Sequence, residues 1–288
     1  MTIIVNGKKI SNEIILNIKK KVTALNNKFN KKIKIYTIMI GENNASNIYV
    51  NNKLKISGQI GIKNKLLKLK KNISTNNIIN LLKKLNDNIN VHGILIQQPL
   101  PQHISKDLIF QKLNHLKDID GFGVYNSGLL NHNLTNILPC TPNGILYILK
   151  KYIDKLSGKK VVIIGRSAIV GRPMISILLN ENCTVSILHS KSKNKKLECR
   201  KANILIACVG KHNFIKANWI KKGCFIIDVG INKIKNKIFG DVDFESVVGK
   251  ASYITPVPGG IGPLTVASLM INAIKLICIQ NKIIIKKL

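Results

Sequence analysis

The sequence predicts an α/β fold in two domains, each built on a parallel sheet. Short runs of branched apolar residues alternate with amphipathic stretches of helical length, the pattern of strands joined by crossover helices. At 288 residues the chain is long enough for two cores. One of the apolar runs, residues 161–164, breaks at Gly165 and resumes as a helical pattern after Gly171. That is how a buried strand hands over to a helix whose N-terminus faces a phosphate.

In chain order, residues 1–10 read as a short strand with an Asn6-Gly7 turn, followed by an amphipathic helix to about residue 29. Strands are expected at 33–40, 65–69 and 91–96, with helices at 46–59 and 76–85 between them. Ligands of such sheets gather beyond the carboxyl ends of the strands, so GENNAS after Ile40 and QQPLPQ after Ile96 are the ends to inspect. On the helix after the first of these, Tyr49 and Lys53 stand four residues apart and share a face. A lysine desolvated in a cleft is able to exchange protons near neutrality; by spacing alone, an exposed surface lysine explains the pair as well. Gln97 places an amide at the sheet edge. Asp118 and Asp120, among few carboxylates in a basic chain, suit either hydrogen bonds from an amino-heterocycle or the capping of a turn.

Cys140-Thr141-Pro142 then opens a helix to about residue 152, with Thr141 as N-cap and Pro142 at the first helical position. This helix is expected to connect the domains. In the nucleotide turn, Gly165, Ser167 and Gly171 form a variant of the G-x-G-x-x-G spacing, and two of the three arginines, Arg166 and Arg172, lie inside it. Strands at 184–188, 204–209 and 225–229 continue a Rossmann-type domain. The end of its second strand decides the cofactor: NAD sites place Asp or Glu there, whereas this chain has His189-Ser190-Lys191. A hydroxyl and a cation, with Arg166 nearby, favour the 2'-phosphate of NADP. TPVPGGIGPLT, residues 255–265, is a turn so free of side chains that a flat ligand can approach its backbone, or else it is a rigid hinge. It leads into a helix to residue 280 that returns to the first domain. The expected division is 1–140 plus 264–288, and 141–263.

The formal net charge of +33 invites a nucleic-acid reading. The charge is nearly all lysine, is spread through every segment and lacks interleaved aromatic residues, so a solvated basic surface is the better account and no dedicated nucleic-acid partner is expected. No uninterrupted apolar run reaches the length of a membrane span, and the N-terminus lacks a signal-peptide core, so a cytoplasmic location without a membrane partner is expected. Six cysteines show no C-x-x-C pair and no zinc spacing, so neither a metal nor a disulfide is expected.

Eight segments taken together resemble the bifunctional methylenetetrahydrofolate dehydrogenase/methenyltetrahydrofolate cyclohydrolase family: YVNNK (49–53), IQQPLP (96–101), KDIDGF (117–122), PCTPNG (139–144), GRSAIVGRP (165–173), DVGIN (228–232), GDVDF (240–244) and ITPVPGGIGPLT (254–265). They occur in family order across nearly the whole chain. The resemblance implies a two-domain enzyme, usually a homodimer, that binds tetrahydrofolate derivatives between a catalytic domain and an NADP domain. It implies Lys53 as the catalytic lysine, Tyr49 as the residue that orients substrate, Gln97 as its polar partner and Asp120 as the carboxylate that grips the pterin. Gly165, Arg166, Ser167, Ser190 and Ile231 correspond to cofactor positions, and Pro258, Gly259 and Gly260 to the segment along the folate. The chain departs from the family at Gln98, commonly leucine, and at Gly123 and Val124, often histidine and proline. A dehydrogenase of another small metabolite would leave YVNNK and the proline-glycine turn unexplained.

Overall fold

The computed structural model describes residues 1–30, 32–41, 44–135, 137–235 and 237–283, with the backbone alone at 44–46. The elements run β1 (Ile3–Ile4), α1 (Gly7–Phe29), β2 (Lys34–Ile40), α2 (Asn44–Gln59), β3 (Lys63–Leu69), α3 (Thr75–Asp87), β4 (Gly93–Ile96), α4 (Lys106–Lys112), α5 (Val124–Asn131) and α6 (Cys140–Tyr152). Then follow β5 (Lys160–Ile164), α7 (Gly171–Asn180), β6 (Thr184–Leu188), α8 (Lys195–Arg200), β7 (Ile204–Ala207), β8 (Phe225–Asp228), β9 (Asn232–Ile234), β10 (Lys237–Phe239), α9 (Phe244–Val247), β11 (Tyr253–Ile254) and α10 (Ile261–Gln280). They divide into two compact units, Glu13–Leu138 with Val266–Leu288, and Met1–Asn12 with Pro139–Thr265.

The first unit carries a parallel sheet in the order β3-β2-β4. β2 is central, and its Ile35, Ile38, Met39 and Ile40 are buried, as a strand covered on both faces requires. Ser74 caps α3 by accepting the Asn77 N–H at 3.2 Å, and Ile78, Leu82 and Leu85 form its buried stripe. Full burial of each such side chain contributes about 1.5–3 kcal/mol. α10 from Val266 onward belongs to this unit, as expected: Asn272 Nδ2 donates to the carbonyls of Ile119 and Leu138, and Gln280 Nε2 to those of His92 and Leu116. α10 has the length and apolarity of a membrane span, but 72% of that stretch is buried inside the protein, as in a core helix.

The second unit holds a six-stranded parallel sheet in the order β1-β11-β8-β7-β5-β6. The chain runs from β5 outward to β6, then crosses back to β7 on the other side of β5. The carboxyl ends of β5 and β7 therefore flank the switch point where ligands of such sheets bind.

Three expectations change. The N-terminal strand, expected within the first domain, pairs with β11 in the second unit: two residues carry no pattern that selects between two parallel sheets. Gly7 begins α1 instead of closing a turn, with Asn6 Oδ1 accepting the Lys9 N–H at 2.9 Å as a helix cap. α6 starts at Cys140 behind Pro139 and lies wholly in the second unit. Thr141 therefore sits inside the helix, with its Oγ1 3.1 Å from that of Thr265.

Candidate active site

In the first unit, the Gln97 N–H donates to the Ile38 carbonyl at 2.9 Å, prolonging the ladder one residue past β4. Its side chain is thereby delivered at the carboxyl end of the strand. Gln97 Nε2 donates to the Gln98 carbonyl at 2.6 Å, which turns Oε1 toward α2, where it accepts a hydrogen bond from Lys53 Nζ at 3.0 Å. Lys53 is only 8% exposed. Under it runs a line of polar side chains: Ser57 Oγ donates to the Lys53 carbonyl, Asn64 Nδ2 to Ser57 Oγ, and Thr37 Oγ1 to Asn64 Oδ1. Tyr49, one turn before Lys53, keeps its ring partly in solvent, and burial raises its phenol above the ordinary tyrosine value. Within GENNAS, Glu42 and Asn43 lie outside the described residues.

The KDIDGF loop is built from both ends. Lys117 is buried, and its Nζ donates to the carbonyls of Leu85, Asn86 and Asn88, which closes the C-terminus of α3. Burial lowers its pKa, and Asp87 works in the opposite direction. Asp118 is fully buried; its carboxylate accepts the N–H groups of Gly121 and Gly123 and the Asn126 amide, while burial pushes its pKa up to about 6. Asp118 thus caps the turn. A parallel bridge pairs Asp118 with Ile94 of β4, and Asp120, two residues on, is half-buried. Gln98 Nε2 is buried with no partner.

In the second unit, a cavity of about 290 Å³ opens at the switch point, lined by Gly165, Arg166, Ser167, His189, Ser190, Lys195, Cys208, Val209, Lys211 and Phe214 with Ile164. Gly165 has φ +119°, and a Cβ on it would lie 2.3 Å from the Cys208 carbonyl oxygen. A Cβ on Gly171 would lie 2.0 Å from the Gly165 carbonyl oxygen, so α7 approaches β5 as closely as a nucleotide turn demands. The Val170 N–H donates to Ser167 Oγ at 3.2 Å. Gly165, Arg166, Ser167 and Ser190 share this cavity, whereas Ile231 does not line it and is exposed. The lysine that lines it after β6 is Lys195, not Lys191; Lys195 Nζ is held by the Ser192 carbonyl at 2.6 Å. The turn through residues 190–194 brings Lys195, the first residue of α8, onto the wall. Hydroxyls and cations with no lining carboxylate fit an anionic dinucleotide carrying an extra phosphate.

The proline-glycine turn packs on the start of α1. The Lys8 N–H donates to the Gly259 carbonyl at 3.1 Å, and a Cβ on Gly7 would lie 1.8 Å from the Gly260 carbonyl oxygen. Gly259 has φ +100°, the left-handed region that suits glycine.

The family model described as tetrahydrofolate dehydrogenase/cyclohydrolase, catalytic domain, matches residues 5–120, and that of the family's NAD(P)-binding domain matches residues 139–281. The chain belongs to the tetrahydrofolate dehydrogenase/cyclohydrolase family. A bifunctional protein FolD of Wolbachia sp. subsp. Drosophila simulans (strain wRi) is 47% identical over 98% of this chain and 97% of its own length. The crystal structure of the bifunctional FolD enzyme of Campylobacter jejuni superposes with a TM-score of 0.94 at 44% identity, covering 98% of this chain and 100% of that one. The Trypanosoma brucei dehydrogenase-cyclohydrolase, solved with NADP and an inhibitor, gives a TM-score of 0.93 at 30% identity, over 98% and 99% of the two chains.

The residues that composition and spacing did not single out are Lys117, Asp228 and Asp241, the last two also buried. The one visible signal of the two aspartates is that carboxylates are scarce here, 13 in the chain, yet they recur inside DVGIN and GDVDF.

Proposed function

We propose that this chain oxidises 5,10-methylenetetrahydrofolate to 5,10-methenyltetrahydrofolate, with NADP, and hydrolyses that product to 10-formyltetrahydrofolate. The observation that carries the reading is the buried Nζ of Lys53, held by Gln97 at the carboxyl end of β4. NADP supplies the hydride acceptor. In the second unit, the turn from Gly165 to Ser167 would hold its phosphates, with Arg166, Ser190 and Lys195 around the 2'-phosphate and Ile231 along the nucleotide.

The methenyl product is a cation shared with the adjoining nitrogens. Water adds to its one-carbon bridge and loses a proton; as the ring opens, the carbinol hydroxyl gives up its proton to solvent to become the formyl oxygen, one carbon–nitrogen bond breaks and the leaving nitrogen takes up a proton. Lys53 carries the first and the last of these transfers through its amine and ammonium forms, and Gln97 keeps its Nζ on one line of approach. Tyr49 orients the substrate, Asp120 accepts hydrogen bonds from the amino-pyrimidine edge of the pterin, and Pro258, Gly259 and Gly260 lie along the folate. The enzyme acts as a homodimer in the cytoplasm, which sedimentation and fractionation check.

Lys53→Met tests the reading. Cyclohydrolase activity is expected to fall by at least about a hundredfold, with NADPH binding retained; hydrolysis at the wild-type rate would overturn the role of Lys53. Absorbance assays with NADP and with NAD fix the cofactor. If the purified protein had neither activity but bound DNA with a steep salt dependence, the basic-surface alternative would replace this one.

A further inference from the structure

We infer that Asp241 is a positioning residue for the nucleotide site, a buried carboxylate just past β10 that ties the loop after β7 to the start of β9 and so sets the wall of the cofactor cavity. The inference rests on that cavity being the NADP site.

Asp241 is fully buried. Its Oδ2 accepts the backbone N–H groups of Val209 at 2.6 Å and Gly210 at 3.0 Å, and its Oδ1 accepts the Lys211 N–H at 2.8 Å and Asn232 Nδ2 at 3.0 Å. Three successive N–H groups converging on one point form a nest, a concavity suited to an anion. This nest lies at the carboxyl end of β7, beside the switch point, and Val209 and Lys211 line the cavity. A nucleotide phosphate would be drawn to such a nest if it were free. The protein's own carboxylate fills it, so phosphate recognition falls to the Gly165–Ser167 turn and to the cations.

A second carboxylate holds the first in place. Asp228, at the end of β8, accepts the N–H groups of Gly230, Asp241 and Val242, each at 2.9 Å. Both carboxylates demand glycine opposite them. A Cβ on Gly230 would lie 2.2 Å from Asp241 Oδ1, and one on Gly240 1.8 Å from Asp228 Oδ2. The glycines of DVGIN and GDVDF are thereby explained by the carboxylate of the other motif. Ile231, proposed along the nucleotide, sits between Gly230 and Asn232, two residues bonded to this pair.

Asp241→Asn preserves size but turns one acceptor oxygen into a donor facing N–H groups. The expected result is a rise of at least tenfold in KM for NADP and in the NADPH dissociation constant, with dehydrogenase kcat within threefold. The folate KM and the cyclohydrolase rate, which needs no nucleotide, should stay within twofold. An unchanged NADPH affinity would overturn the inference, as would parallel loss of both activities. If Asp241→Asn does not fold, Asn232→Ala removes a single donor and should weaken NADPH binding about threefold; unchanged binding there overturns the inference too. NADPH binding is read directly by fluorescence. A wild-type protein that binds NADPH but does not act on folates would sink the proposed function and leave this inference standing.

Discussion

Each unit contains a buried carboxylate that gathers backbone N–H groups, and the two differ in where the donors come from. Asp118 draws on Gly121, Gly123 and Asn126, all within eight residues of it. Asp241 draws on Val209, Gly210 and Lys211, 30 to 32 residues away at the end of another strand. The first organises one turn, which exists as a local unit. The second joins two loops that meet only once the six-stranded sheet has formed. A buried acceptor is tolerated in both places because its donors are supplied in full.

The comparison breaks most readily at Asp118. Asp118→Ala strands two backbone N–H groups and the Asn126 amide in the interior, and should lower the unfolding free energy by about 3 kcal/mol, measured by urea denaturation. The loop that carries Asp120 should loosen with it, so folate KM rises while NADPH affinity holds, the mirror image of Asp241→Asn. Equal losses on both sides would mean that the two carboxylates are not separate devices.

A smaller effect comes from protonation. Burial pushes the carboxyls of Asp118 and Asp228 up to about 6, whereas an aspartate in an unfolded chain titrates near 4. The folded protein therefore holds these protons more tightly than the unfolded chain does. The stability contributed is fully present below about pH 4 and is lost as the pH rises through about 6, on the order of 2 kcal/mol per group. Asp118→Asn should flatten the stability profile in that window relative to wild type. Coincident slopes would show that Asp118 is not the group that titrates there.

The smallest expected effect concerns the opposite case, Gln98, whose Nε2 is buried without a partner. Gln98→Leu removes an unsatisfied donor and should raise stability by about 1 kcal/mol. If folate KM rises at the same time, the free amide is a ligand donor; if stability falls, Gln98 has a partner in the folded protein and the contrast with the two carboxylates is lost.

Much of the fold was legible because its signals are local. Branched runs marked β2, β5, β6 and β8, and the Gly165–Gly171 spacing located the nucleotide turn. The Tyr49-Lys53 pair and Gln97 were visible as residue types at strand ends, although only their motif context raised Lys53 above the many other lysines. Other features stayed hidden. The two residues of β1 do not say which sheet they join, since hydrogen bonds between parallel strands are made by backbone common to every sequence. Lys195 was passed over in favour of Lys191 because the irregular turn at residues 190–194 carries no periodicity from which its course can be read.

By itself the sequence determined the alternation of strands and helices and the position of the phosphate turn, both of which depend on residues within about ten positions of one another. Tertiary structure alone decided that Gln97 would aim at Lys53, that the N-terminal strand would pair with β11, and that Asp241 would fill the nest after β7. Such contacts bring together groups far apart in the chain, and their geometry is set by how sheets and loops pack rather than by any local pattern of residues.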